Sequence, residues 1–261
     1  MEIDAFRLRH VAECVEDQPN GSAILDELLD RTGLSRKALS PGKTVDAAKE
    51  PEFVTEACDI LNDPVFAAKA GLSLRDGTNL TSYIAKHSRT LRAAIDNSAR
   101  YYSVVDLAFS YSLRVSGNAA SFEVDCRDPK FSHFHRHKEF LLFVALSRMR
   151  SLTNSGFYPI EMRFDYEVKL AATSFQKLAG CPIAFGAERM EILLPLSTLD
   201  LMIPTYDANL QNHLMQYGEK LLKESPDQAP SLEVKIKGIL AGSLPARIST
   251  LISFLASVRA Y

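Results

Sequence analysis

Residues 140–146 read Phe-Leu-Leu-Phe-Val-Ala-Leu, and they fall inside a segment, 135–153, whose pattern is that of one helix. A surface helix carries an apolar stripe on one side and polar residues on the other. Here the apolar character runs nearly all the way round, so the helix has no face to give to water and must lie deep against a sheet. The run is also far shorter than the ~20 apolar residues that a membrane-spanning helix needs. A chain organised around this element needs strands close by in sequence and further helices to complete the core.

Both are legible. Before residue 100 the pattern is of short helices. One fits 23–32, with Ser22 as its cap, Ile24, Leu25, Leu28 and Leu29 on one side, and Gly33 stopping it. Ser35 caps a short turn toward Leu39, and Pro41-Gly42 breaks the chain. A helix over 51–61 has the stripe Phe53, Val54, Ala57, Ile60 and Leu61; Asp63-Pro64 opens another over 65–72. Helical segments follow over 80–87 and, capped by Ser88 or Thr90, through Arg100.

At residue 107 the period changes. Leu107, Phe109, Tyr111, Leu113 and Val115 alternate with smaller or polar residues, Gly117-Asn118 makes a tight turn, and Ala120, Phe122, Val124 and Cys126 return. After the apolar helix come a strand over 160–164, a short helix over 172–179 ended by Gly180, and strands over 182–185 and 190–194 around a turn at 186–189. Thr205 or Asp207 starts a helix through Lys223. The fold class expected is therefore α+β: leading helices, a mixed or antiparallel sheet crossed by a buried helix, then C-terminal helices. Residues 1–223 read as one domain and 224–231 as a Pro/Ser-containing linker. In 232–261 Lys235, Lys237, Arg247 and Arg259 outnumber Glu233, the lone acidic residue there, a weak nucleic-acid signal.

Composition excludes some classes. With 46% hydrophobic and 24% charged residues the chain is ordinary for a soluble protein, and a net charge of −2 rules out a wholly basic nucleic-acid coat. Cys14, Cys58, Cys126 and Cys181 are scattered, with no C-x-x-C pair, and read as reduced, buried thiols. The acidic start Met1-Glu2-Ile3-Asp4 has no apolar secretory region, so a cytoplasmic location is expected.

The order of several short motifs resembles the sensory half of an AraC-family transcription regulator, in the branch with an arabinose-binding-type N-terminal domain like that of ornithine-utilisation and virulence regulators. Leu28-Leu29 before Thr32-Gly33-Leu34-Ser35 resembles the family's paired leucines and glycine turn. Asn62-Asp63-Pro64 with Ala70-Gly71-Leu72 resembles its D-P-x-x-x-L-x-x-G region. His87-Ser88-Arg89-Thr90-Leu91 followed by Arg100-Tyr101, and Gly180-Cys181-Pro182-Ile183-Ala184-Phe185, resemble two more of its segments. The resemblance implies a small-molecule effector, a homodimer, DNA as the partner of the full-length parent, and no cofactor or metal. The expected pocket lining is Phe109, Tyr111, Phe122 and Phe143, the large side chains of the middle region. The expected dimer seam is Leu210, Leu214, Tyr217 and Leu221, spaced i, i+4, i+7 and i+11.

Toward the C-terminus, 234–240 and the stripe Ile248, Leu251, Ile252 and Leu255 resemble the family's first DNA-binding helices, and Ser257-Val258-Arg259 the start of a recognition helix. Arg247, Ser257 and Arg259 are the candidate DNA contacts. Such a reader uses two helix-turn-helix units, and this sequence holds barely one before Tyr261; specific DNA reading by this chain alone is not expected.

The competing chemistry is His133-Phe134-His135-Arg136-His137, which would suit a metal- or haem-binding sensor or enzyme if all three imidazoles converged with a ligand from elsewhere. Otherwise it reads as a solvated helix entry. Glu123 and Asp125 alternate on one strand face and read as a solvent-facing stripe rather than a catalytic pair. No phosphate-cradling loop, H-E-x-x-H or G-x-S-x-G is present, so no enzyme is expected.

Overall fold

The computed structural model describes residues 2–167 and 172–224. Strand β1 (Glu2–Asp4), helices α1 (Phe6–Glu16) and α2 (Gly21–Thr32), strand β2 (Thr44–Asp46) and helices α3 (Lys49–Ile60), α4 (Phe66–Ser73), α5 (Leu80–Lys86) and α6 (Leu91–Tyr101) come first. The hairpin β3 (Phe109–Ser116) and β4 (Ala119–Cys126) leads into α7 (His135–Thr153). Then follow β5 (Glu161–Arg163), α8 (Ala172–Ala179), β6 (Ile183–Ala184), β7 (Glu191–Pro195) and α9 (Ala208–Glu224). The class is α+β, as the alternation of periods predicts.

The larger sheet has the order β3-β4-β7-β5-β6, antiparallel except for the parallel β5–β6 pair. Its register aligns Leu113, Phe122, Ile192, Met162 and Ile183 in one row across all five strands. That row joins the core that buries α7, whose Phe140, Leu141, Leu142, Phe143 and Leu146 are all but dry. One side of α7 covers the sheet; α3 and α4 cover the other. The α4–α7 approach is close because Gly71 lacks a side chain: a Cβ there would lie 2.6 Å from the Phe140 carbonyl oxygen and 2.9 Å from Phe143 Cβ.

Local signals explain most element ends. The Thr90 hydroxyl accepts from the Ala93 amide and caps α6, Ser35 does the same for the 3-10 turn Arg36–Leu39, and Gly33 ends α2 in the left-handed region. Three sequence expectations change. The helix over 23–32 begins at Gly21 with left-handed Asn20 at its cap, and Ser22 faces Arg36 instead. The strands at 182–185 and 190–194 are not neighbours, because β5 lies between them and pairs with both. Glu123 is buried rather than solvent-facing, covered by Arg114 (3.1 Å) and Arg189 (3.5 Å), while Asp125 is exposed. The arginine stems fold over the strand face and keep their charged ends in water. The expectations for 225–261, including the linker, the two C-terminal helices, Arg247, Ser257 and Arg259, lie outside the described residues.

Candidate effector site

Three helices each place an ionisable residue in line with their apolar stripe. In α1 Arg7 stands four residues before Val11 and eight before Val15; in α3 Glu50 aligns with Phe53, Val54 and Ala57; in α7 His137 aligns with Phe140, Leu141 and Val144. All three are buried, and they meet. Arg7 Nε donates to the Glu50 carboxylate (2.9 Å), Nη1 to the Tyr102 hydroxyl (3.0 Å) and Nη2 to Asp106 Oδ2 (2.9 Å). His137 Nε2 bonds the other Glu50 oxygen at 2.8 Å. Asp106, only 3% exposed, also accepts from the Ala108 amide.

The Tyr102 ring packs on Tyr111 with centroids 4.0 Å apart, and Tyr111 on Phe122 at 5.2 Å. The junction thus ties α1, α3, α7 and the first strand of the hairpin. Burial alone would push the Glu50 carboxyl up, but Arg7, followed by His137, outweighs it and holds the group below its usual range. Burial raises the Tyr102 and Tyr111 phenols.

Beside this cluster lies a cavity of about 10 Å³, lined among others by Arg7, Glu50, Asp106, Phe109 and His137, and closed by Ile3, Ala47 and Phe131. That is near the minimum for one water. His137 Nδ1 is buried and has no partner among the described residues, so one polar contact is left open there.

The sequence-selected pocket residues divide. Phe109 lines the cavity and packs its edge on His137, with centroids 5.3 Å apart. Tyr111 and Phe122 border the polar junction. Phe143 lies elsewhere in the core, against Phe175. The histidines also part: His137 is buried on Glu50, His135 stacks on Tyr166 and His133 is exposed. His137 is thus a correction to the reading of 133–137 as a solvated helix entry. Among the described residues, no three His, Cys, Asp or Glu side chains come together as a metal site would require.

Residues 24–203 match the family of the N-terminal arabinose-binding domain of AraC transcription regulators. The chain belongs to this family. Its fold is similar to the crystal structure of the transcriptional regulator CdpR from Pseudomonas aeruginosa, with a TM-score of 0.52 at 15% identity, covering 90% of this chain and 74% of that one. No curated protein matches the chain. The family match takes in Glu50, Tyr102, Asp106 and His137, whereas Arg7 lies ahead of it.

The candidate seam on α9 stands out on the surface of this arabinose-binding-type domain. Leu210 and Tyr217 are 39% and 54% exposed, and Leu214 and Leu221 are half-buried. Tyr83, Met202 and Tyr206 are also exposed, on or beside the elements that adjoin α9. The adjoining side of α9 lies on α5 and α6. Gly218 sits against the Tyr101 ring, whose hydroxyl donates to Glu219 at 2.6 Å, and Gln211 reaches Ser88. Among the described residues, no helix is long and apolar enough to cross a membrane.

Proposed function

We propose that the chain is the effector-sensing and dimerising part of a bacterial AraC-type transcription regulator, acting in the cytoplasm and catalysing no reaction. The family match over 24–203 carries this reading. In it, residues 1–223 are the sensory and dimerisation domain, 224–231 a linker and 232–261 the start of a helix-turn-helix region whose Arg247, Ser257 and Arg259 face DNA in the parent protein. The buried polar junction supports sensing. It sits between the leading helices and the sheet, and burying so many polar groups is costly unless each is answered. An effector that displaces or completes its bonds shifts the balance between two arrangements of those layers. Phe109, Tyr111 and Phe122 border that junction and keep their proposed place in the pocket; Phe143, on α7 itself, would contribute from the core against Phe175.

The exposed apolar residues of α9 support a second copy of the chain as partner, since contiguous apolar patches mark interaction sites. Two measurements test the reading. A ligand that prefers the folded state raises its melting temperature, so a thermal-shift screen across metabolite classes is expected to give a hit; no response to any class overturns sensing. Size-exclusion chromatography with light scattering at micromolar concentration is expected to give a dimer that Leu214→Asp disrupts; a dimer untouched by that substitution moves the interface off α9.

A further inference from the structure

Arg7 and Arg148 lie close enough to repel one another, and among the described residues only Arg7 has carboxylate partners. Arg7 takes Glu50 and Asp106. Arg148, on α7, takes neither. Its Nη1 donates to Ser82 Oγ (3.1 Å), its Nη2 to the Asp76 carbonyl oxygen (3.3 Å), and its Nε is buried with no partner among the described residues. Among the described residues no carboxylate lies within 4.0 Å of it. It also lies over the Phe6 ring, 5.5 Å from centroid to guanidinium carbon. Burial presses against the charged form, and the neighbouring Arg7 adds to that pressure, while Tyr111, Tyr102 and Asp76 oppose it only from a distance. The Arg148 side chain is half-buried and its Nη2 end reaches solvent, but its Nε is drawn out of water without a partner among the described residues, and a desolvated donor on a charged group is normally paired.

The surroundings are arranged around this charge. The segment 74–79 passes directly over it, and Gly77 makes that possible: a side chain there would collide with both Ser82 Oγ and Arg148 Nη2. Ser82 Oγ donates to Asn79 Oδ1 at 2.7 Å and is thereby held toward the guanidinium. The same Asn79 oxygen caps α5, and α5 packs on α9.

We propose that Arg148 anchors the carboxylate of a small organic monocarboxylic acid, which takes the place of the Asp76 carbonyl at the guanidinium. The charge count favours this class. One uncompensated cation balances one carboxylate, whereas a phosphate dianion would leave an excess negative charge beside Asp76. A guanidinium with a free Nε offers the paired donors that grip a carboxylate two-fold. This inference rests on the sensing reading above and narrows its effector to an anion. Displacing Asp76 moves the segment that starts α5, so the ligand would act on the helix that seats α9.

The test uses the full 261-residue chain with acetate, butyrate and benzoate, their neutral amides, and inorganic phosphate, all at matched ionic strength. Thermal shift and titration calorimetry are read for the unsubstituted chain, Arg148→Met and Arg148→Lys. The expected result is stabilisation by a carboxylate and not by its amide, with affinity weakened at least about tenfold in Arg148→Met and less in Arg148→Lys. Unliganded Arg148→Met is expected to melt no lower than the unsubstituted chain, because the substitution removes an uncompensated charge. A large fall in that melting temperature would make Arg148 structural and overturn the proposal. So would carboxylate binding that survives Arg148→Met, or binding of phosphate alone. If none of the carboxylates binds while a neutral metabolite does, the anion site is refuted and sensing stands; silence from every class refutes both.

Discussion

Arg7→Met isolates the central ion of the buried junction. The methionine keeps most of the volume of the arginine stem, so packing around Phe6 and Val11 changes little. What is lost is the partner of two carboxylates, Glu50 at 1% and Asp106 at 3% exposure. Glu50 keeps the His137 imidazole at 2.8 Å, and Asp106 keeps the Ala108 amide at 2.9 Å, but no guanidinium remains. Removing one member of a buried ion pair costs roughly 3–5 kcal/mol. For a domain of this size each kcal/mol moves the melting temperature by about 2–4 °C, so a fall of roughly 6–20 °C is expected. The variant also carries a pH signature. Without Arg7, burial is left to push the Glu50 carboxyl up, so its penalty is present at neutral pH and fades as pH falls and it takes up a proton. Urea denaturation of both proteins at pH 7 and pH 5 is therefore expected to show the stability gap narrowing on acidification. Replacing all three charges together, as Arg7→Met, Glu50→Gln and Asp106→Asn, is expected to recover much of the loss. A loss below about 1 kcal/mol at pH 7, or a gap that widens at pH 5, would mean the network is not held by these charges.

Three further outcomes are expected. Gly71→Ala drives a Cβ into the Phe140 backbone and should cost about 1–3 kcal/mol in denaturant midpoint, with α4 displaced from α7; a neutral effect would contradict the close approach. Thr90→Ala removes the cap of α6 and should cost about 1 kcal/mol, while Thr90→Ser should cost less, both read by thermal melting. In the unsubstituted protein Glu50 is held below its ordinary value, so its contribution to stability is full above about pH 4.5 and is lost as pH falls through the depressed folded value; an acid titration followed by circular dichroism should show Glu50→Gln flattening that loss.

What the sequence disclosed follows from how each element is stabilised. Helix α7 and the β3–β4 hairpin are local solutions: seven uninterrupted apolar residues, and strict alternation around Gly117-Asn118, each point to one conformation. The pair β1–β2 is not visible in the sequence because three-residue strands are too short to show a period, and its paired residues Ile3 and Val45 lie 42 positions apart. The position of β5 between β6 and β7 depends on long-range pairing that no local turn specifies. The polar junction was missed for another reason. Of its helical members only His137 enters the sequence reading, as part of a solvated helix entry, although Arg7, Glu50 and His137 each occupy a core position of a helix. A charge at the i or i+4 position of an otherwise apolar stripe was the available signal. The partners, Glu50, Tyr102 and Asp106, lie 43, 95 and 99 residues from Arg7 and leave no local trace.

The way α9 is seated has a further consequence. It rests on α5 and α6 through Gly218 on Tyr101, the Tyr101–Glu219 bond and the Gln211–Ser88 bond, and none of its leucines is fully buried. Regions with few dry contacts open at free energies well below that of global unfolding. The amides of α9 should therefore exchange with deuterium through a sub-global opening, while those of α7 wait for the whole domain to unfold. A change of a few hydrogen bonds at α5 is then comparable in size to the whole energy that holds α9 down. The helix can be released or re-seated without disturbing the core, and an event too small to repack the interior is still large enough to change what α9 presents.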